Sequence, residues 1–214
     1  MLVLGRAAFF GSVDVDLPLQ KSPLLRADDL TPQFGYVGPR YAETRVLLLG
    51  ISPGNGAETE TRSPADARMM PAVVRFAEMP TRENFIAAQA AYRAECETWP
   101  VWRRHCKEVI GAGKLSLDQV AYSNCLPYRT GSNSAFQDAV AAKAAELYAR
   151  PLIAELQAKL VIALGKRAAE ILGLAGPIPA KVITWNRTQA ATAAVIADRE
   201  RTAAAILASL ASDE

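Results

Sequence analysis

The sequence is poor in the residues that most often bind metals. It contains one histidine, His105, and three cysteines, Cys96, Cys106 and Cys125. The cysteines are scattered, and the chain has neither a CxxC pair nor a cluster of cysteine with histidine. This spacing argues against a structural zinc site or an iron–sulfur cluster. The odd number of cysteines favours reduced thiols, which are typical of a cytoplasmic protein.

Long apolar segments are missing as well. No stretch approaches the roughly 18 uninterrupted apolar residues that indicate a membrane-spanning helix. The first apolar segment, MLVLGRAAFF, has no basic region before it and is interrupted by Arg6. We therefore expect no membrane partner, no signal peptide and a cytoplasmic location.

The charge of the chain is nearly balanced. Lys+Arg 24 against Asp+Glu 22 leaves a net charge of +2. A charge this small does not by itself indicate a nucleic-acid partner. Because net charge averages over the whole surface, it does not exclude a basic rim around a site either.

Instead of long apolar segments, the sequence contains short apolar runs that are rich in β-branched residues. Four of them occupy residues 45–51, 118–124, 159–165 and 180–186. They are apolar without alternation, which is typical of strands buried on both faces of a parallel sheet. Segments rich in Ala, Leu, Glu and Arg lie between and after them and are predicted to be helical, at 81–98, 134–157, 166–172 and 188–211.

Alternation of strands and helices predicts an α/β fold. We expect a three-layer α/β/α sandwich around a central four-stranded parallel sheet. A chain of 214 residues with 50% hydrophobic content fits one domain, with 1–44 as an irregular leading arm and 45–211 as the core. In such a sheet, ligands bind where the carboxyl ends of the strands meet.

The glycine-rich turn after the first run, GISPGNG, is not typical of a phosphate loop. A Walker loop requires GxxxxGK[ST], and a dinucleotide fingerprint requires GxGxxG; neither pattern is present. Pro53 also removes an amide donor from the turn. The turn is better suited to holding a side chain or a water molecule at a set distance.

The order of the strand-end motifs resembles the uracil-DNA glycosylase superfamily. The motifs are GISPG at 50–54, NCLPYR at 124–129, LGKRA at 164–168 and the polar loop at 185–188, so the resemblance covers roughly residues 45–205. It implies a target base flipped into a pocket at the strand ends, where water hydrolyses its N-glycosidic bond without a metal or an organic cofactor. The GxxPG turn without a carboxylate is most similar to the mismatch-directed branch.

The resemblance implies two catalytic positions. The family's water-activating loop carries Asn or Asp where this chain has Ser52, and one group has Glu where this chain has Ile51. A serine hydroxyl orients water but does not accept its proton at neutral pH, so catalysis is expected to be weak. The last loop of the family carries a histidine, or an asparagine in the mismatch-directed members, and Asn186 stands there. His105 lies on a predicted helix, where we expect a surface residue.

The resemblance also implies the residues that bind the substrate. Asn124 matches the asparagine that reads the edge of the base, and Phe76, Met69 or Met70 are candidates for stacking on it. Lys166 and Arg167 open a helix and are expected to contact DNA phosphate. The remaining expected contacts to the base or the strand are Gly50, Ile51, Pro53, Gly54 and Arg187.

Simpler interpretations of these residues remain open. Ser52 and Pro53 are typical of tight turns, Asn124 of a turn cap, and Asn186 and Thr188 of a helix N-cap. At the level of the whole protein, the alternatives are a nucleobase- or DNA-binding module without turnover and a hydrolase of a free nucleoside. Another open question is whether a remote carboxylate, Asp66 or Glu58, replaces the missing one. The first expectation is a monomeric enzyme acting on DNA that contains uracil or a mismatch.

Overall fold

The computed structural model describes residues 31–53, 64–127, 141–143, 145–188 and 192–211. A five-stranded sheet forms its centre, in the order β1-β3-β2-β4-β5. Strands β2, β3, β4 and β5 are parallel, and β1 pairs with β3 in the antiparallel direction. The strands are β1 (Tyr36–Val37), β2 (Val46–Gly50), β3 (Val120–Asn124), β4 (Leu160–Leu164) and β5 (Lys181–Trp185).

The α/β fold is confirmed, and each of the four predicted apolar runs contains one parallel strand. The predicted strand number is wrong, because the sheet has five strands. The additional strand β1 belongs to the segment predicted to be an irregular arm. It has only two residues and lies between Pro32 and Pro39, so it has no recognisable strand pattern.

Six α-helices lie entirely within the described residues, together with several short helical turns, and residues 141–143 are helical as well. Helix α2 begins after Thr81, the first residue of the predicted helix 81–98, and the Thr81 hydroxyl caps it by accepting the backbone N–H of Asn84 at 3.2 Å. The predicted helix start near Ser134 lies outside the described residues. The helices are α1 (Pro64–Glu78), α2 (Arg82–Glu95), α3 (Lys107–Ala112), α4 (Arg150–Glu155), α5 (Lys166–Leu174) and α6 (Ala193–Ala211).

Each face of the sheet has its own hydrophobic core. Val46 and Leu48 point to a core that includes side chains of α1, α2, α3 and α6; we call this side the α1–α2 face. Leu47 and Leu49 point to a second core with side chains of α4 and α5, the α4–α5 face. Every residue of β2, β3 and β4 is buried, whereas β5 forms a largely exposed edge. Helices therefore pack on both faces.

None of the helices in the described segments is long and apolar enough to cross a lipid bilayer.

Gly35 permits the chain to pass close to β3 just before β1. Its φ of +88° lies in the left-handed region, and a Cβ atom there would overlap the Tyr122 carbonyl oxygen and lie 2.9 Å from Ser123 Cα. We expect Gly35→Ala to destabilise the fold by more than about 2 kcal/mol, because the obstruction is backbone that cannot rotate away. Urea denaturation followed by circular dichroism measures this change.

Gly173→Ala is the matched control, since Gly173 lies in α5 with open space around its Cα. That substitution should be neutral or stabilise the protein by about 0.5–1 kcal/mol. Equal unfolding midpoints for the two variants would contradict the packing described for Gly35.

Candidate functional site at the carboxyl ends of the strands

Gly50 and Asn124 lie opposite each other where β2 and β3 end. A Cβ atom on Gly50 would overlap Asn124 Oδ1, and the Tyr122 hydroxyl lies 3.6 Å from the same point. Asn124 is only 5% exposed. Burial, the largest cause, raises the pKa of Tyr122 above its usual range, and the neighbouring Asn124 side chain acts in the opposite direction. The Asn124 amide is therefore held over a bare glycine, on the α1–α2 face.

The loops after β2 and β3 continue to pair beyond the sheet. The Cys125 N–H donates to the Gly50 carbonyl at 2.8 Å, and the Leu126 N–H donates to the Ile51 carbonyl at 2.9 Å. The Ile51 side chain packs against the α4–α5 core. The Gly50 and Ile51 carbonyls each accept one backbone hydrogen bond, so the loops after β2 and β3 are held together at the edge of the sheet.

Ser52 is half-buried and Pro53 is buried in this loop. Gly54 lies outside the described residues, as do Glu58 and residues 128–140. Asp66, the other carboxylate considered, is buried on α1. The role of Ser52 in orienting water and that of Asp66 as a replacement for the missing carboxylate stay predictions.

Arg187 extends from the end of β5 along the α1–α2 face. Its stem packs on Gly165, since a Cβ atom there would lie 3.1 Å from Arg187 Cδ, and Gly165 has a φ of +100°. Burial is the largest influence on the pKa values of His105, Cys106 and Tyr122, and the positive charge of Arg187 acts to lower all three. The role of Arg187 in a site shared with Asn124 stays a prediction.

His105 is the site residue that the sequence analysis placed wrongly. It is only 5% exposed and lies in a π-helical turn, Trp102–Cys106, rather than on a helix surface. This wider turn contains one residue more than a turn of α-helix and rotates the side chains that follow. A prediction that assumes a regular α-helix therefore places His105 on the wrong face of the helix. Its Nδ1 atom is buried and has no hydrogen-bond partner within the described segments.

The environment of His105 holds its imidazole neutral at pH 7. Burial lowers its pKa to about 4, and the positive charges of Arg187, Arg199 and Arg104 act in the same direction. A neutral imidazole has one N–H donor and one acceptor nitrogen. No sequence motif marked this residue, because its burial depends on the local turn geometry.

Asn186 connects its own loop to the terminal helix. Its amide donates to Asp198 at 3.1 Å, and its side-chain oxygen accepts the Thr188 N–H at 2.9 Å. Helix α6 begins at Ala193, and the Thr192 hydroxyl accepts the Val195 N–H at 3.4 Å. Thr188 is therefore not the N-cap of α6. The hydrogen bonds favour a structural role for Asn186, and its catalytic role stays a prediction.

Phe76 lies in an aromatic cluster of the α1–α2 core. It is 4% exposed, and its ring centroid lies 4.7 Å from that of Phe34 and 5.5 Å from that of Phe85. Met69 and Met70 are buried in the same core. Stacking of a base on any of these three candidates requires that the core open, so that role also stays a prediction.

Lys166 and Arg167 begin α5 directly after β4. The Lys166 side chain is 91% exposed and lies 3.8 Å from Glu170, which also lies 3.4 Å from Arg167. Exposed ion pairs of this kind are weak. Because the Lys166 side chain is also largely exposed, an external anion can replace Glu170 as its partner. Across the described segments, no group of three or more His, Cys, Asp or Glu side chains is arranged to hold a metal ion.

In comparisons with known proteins, no protein-family model matches the chain, and no curated protein matches it in sequence.

The single histidine permits a direct test of the electrostatics at this site. We expect NMR titration of the His105 ring protons to give a pKa of about 4. Arg187→Gln should raise this pKa while leaving it below 6.5, because burial is the larger cause. Arg150→Gln is the control, since Arg150 is an exposed residue of α4. An ordinary pKa in the wild type would contradict the burial of His105.

The same shift predicts how stability depends on pH. The unfolded chain binds a proton at His105 near pH 6.5, whereas the folded chain does so only near 4. The contribution of His105 to stability is therefore complete above pH 6.5 and is lost as the pH falls toward 4. Urea denaturation should therefore show that the free energy of unfolding falls more steeply with decreasing pH in the wild type than in His105→Phe over this interval.

Proposed function

We propose that the protein is a uracil-DNA glycosylase-like enzyme, which flips uracil or a damaged pyrimidine from DNA and hydrolyses its N-glycosidic bond. The observation that supports this proposal best is the position of Asn124. It lies at the carboxyl end of a central strand, in register with Gly50, and both follow the motif order that resembles this superfamily.

The Asn124 amide has the chemistry needed to recognise a pyrimidine. It offers both a donor and an acceptor, which complement a ring N–H and a carbonyl of the base. Because it is buried and begins from a strand rather than a flexible loop, little conformational freedom is lost when a base binds. A buried amide left without partners also penalises a ligand that lacks the matching edge.

The hydrolytic step requires an activated or well-placed water. The water oxygen attacks C1′ of the sugar, the C1′–N bond breaks with its electron pair going to the base, and the proton released by the water passes through solvent to the departing base. Ser52 supplies a hydroxyl that orients this water, but it does not hold the proton at neutral pH. We therefore propose slow excision, with a preference for mismatched or damaged sites, where extrusion of the base costs least.

A binding module of the same fold is the second candidate. The strand-end segments within the described residues, 51–53, 125–127 and 186–188, contain no carboxylate. This observation favours recognition of a base without turnover. A hydrolase of a free nucleoside is the third candidate and is favoured by the small net charge of +2.

Removal of the Asn124 amide should reduce excision of uracil from labelled oligonucleotides. We expect Asn124→Ala to lower the single-turnover rate by roughly tenfold to a hundredfold, as for the loss of a buried hydrogen-bonding group. Ser52→Ala should lower the rate as well if its hydroxyl places the water. Abasic sites are measured on single strands and on uracil opposite guanine or adenine.

Two variants with the same chemical changes serve as controls. Asn84→Ala alters an asparagine of α2, and Ser209→Ala alters a serine near the end of α6 that bonds its own helix. Both should excise uracil at the wild-type rate. Binding without cleavage would favour the binding module, and the absence of both in the wild type would contradict the proposal.

Contact of Lys166 with a DNA phosphate predicts a change in salt dependence. Lys166→Gln should reduce the slope of log affinity against log salt by about 1, uniformly across sequences. The control is Lys181→Gln, because Lys181 is an exposed residue at the opposite, amino end of β5. Fluorescence anisotropy with a labelled oligonucleotide gives both slopes, and identical slopes would place Lys166 outside the DNA interface.

A further inference from the structure

The two edges of the sheet differ in how their outward backbone groups are satisfied. At the β1 edge, the side-chain amide of Gln89, on α2, binds the chain on the side away from β3. Its Oε1 atom accepts the Val37 N–H at 2.6 Å, and its Nε2 atom donates to the Gly35 carbonyl at 3.1 Å. This amide occupies the positions that the backbone of a further strand would take. The β1 edge is therefore blocked against pairing with another strand.

The β5 edge, at the other side of the sheet, is open in the described part of the chain. The Lys181 N–H donates to the Lys159 carbonyl at 2.9 Å, so the backbone groups of Lys181 face β4. Successive residues of a strand direct their backbone groups to opposite edges, so Val182 and Thr184 direct their N–H and C=O groups away from β4. No hydrogen bond from a described residue reaches these four groups.

The side chains along this edge are also accessible. Val182 is 38% exposed, and Thr184 is exposed as well. Natural edge strands are commonly protected by charges, by prolines or by very short length. Strand β5 has five residues without a proline, and its single charged residue is Lys181 at the amino end. The exposed β-branched residues and the open backbone groups make the β5 edge a docking surface for another strand.

The β5 edge is complementary to a second copy of itself. Antiparallel pairing about a two-fold axis places Val182 of each copy opposite Thr184 of the other. Each of these two pairs exchanges two hydrogen bonds, which together satisfy the outward groups of both copies. Ile183 then faces Ile183 of the second copy, and Lys181 faces Trp185, so the two lysines do not lie opposite each other.

We propose that two copies of the chain pair along β5, in the antiparallel direction, to form one ten-stranded sheet. This dimer replaces the monomer expected from the sequence. A two-fold contact uses the same surface on both copies and therefore closes on itself. The remaining edge of each copy is β1, which Gln89 blocks, so edge pairing ends at the dimer.

The dimer leaves the candidate site accessible in both copies. Asn124 lies on β3, which β2 and β4 separate from the β5 edge. Because the two β5 strands run in opposite directions, the two candidate sites lie at opposite ends of the continuous sheet. Dimer formation does not require cleavage of a glycosidic bond, so failure of either proposal leaves the other intact.

The first test is sedimentation velocity of the full chain over a range of concentrations. We expect the wild type to approach twice the mass of one chain as its concentration rises. Thr184→Pro removes an outward N–H but no hydrogen bond to β4, and proline is tolerated in edge strands where the N–H faces solvent. It should raise the dissociation constant of the dimer at least about tenfold.

Two control variants should leave the dimer unchanged. Thr184→Val keeps both the N–H group and the β-branched shape of the side chain. Ile86→Glu alters an exposed apolar residue of α2, the helix that packs beside the β1 edge. Loss of the dimer in Ile86→Glu, with Thr184→Pro unaffected, would place the interface on α2 and overturn the proposal.

The second test measures the register by cross-linking. Residues at position 183 of the two copies form the central pair, with Cα atoms about 4.5 Å apart, which is within the range of a disulfide. Under mild oxidation, Ile183→Cys should form a covalent dimer on a non-reducing gel. Val182→Cys is the matched control, because position 182 faces position 184 of the second copy and should cross-link little. The three native cysteines are buried, so the wild type supplies the background.

Two further results would contradict the dimer described above. The first is the mass of one chain at every concentration, together with no cross-linking of Ile183→Cys beyond the wild type. The second is equal cross-linking of Ile183→Cys and Val182→Cys, which would show that the strands do not pair in this register. The cross-linking comparison keeps the test decisive if Thr184→Pro does not fold.

Discussion

The parallel pairing of β2 with both β3 and β4 is the constraint on which the rest of the structure depends. Gly50 and Asn124 are the last residues of their strands and lie directly opposite each other. Because the strands run in one direction, every loop at their carboxyl ends begins at the same edge of the sheet. The hydrogen bonds from Cys125 and Leu126 extend this pairing into the loops. Side chains that are far apart in the sequence therefore lie near one another at this edge, because the sheet itself brings the strand ends together.

The two faces of the sheet contribute different kinds of side chain near the candidate site. Leu47 and Leu49 fill the α4–α5 core with aliphatic side chains. On the α1–α2 face the alternation of the strand instead ends in Gly50 and in the polar side chain of Asn124. The buried Tyr122 hydroxyl lies close to the same point above Gly50 as that amide. Both faces therefore have packed cores, and the α1–α2 face also carries the Asn124 side chain at the end of the strand.

The electrostatics of the site arise from burial combined with an excess of arginine. His105 stays neutral because water is excluded and because Arg187, Arg199 and Arg104 oppose a further positive charge. A neutral imidazole offers one hydrogen-bond donor and one acceptor and carries no charge. Such a site suits recognition of an anion or of a base edge better than the abstraction of a proton. This balance is the reason for proposing slow excision together with specific binding.

The sequence by itself determined the parallel strands and the positions where they end. Continuous apolar runs of branched residues have few other ways to be buried, so β2, β3 and β4 were predictable, and with them the placement of Asn124. Strand β1 was not predictable, because two residues between prolines carry no periodicity.

Tertiary structure alone decided which side chains face the site. The π-helical turn rotates His105 into the interior, and the stem of Arg187 packs on Gly165. The bonds to Asp198 and Thr188 keep Asn186 in its own loop. These outcomes depend on backbone geometry and on contacts between elements far apart in the chain. Residue type and spacing do not encode them locally, because the same asparagine or histidine pattern is compatible with either orientation.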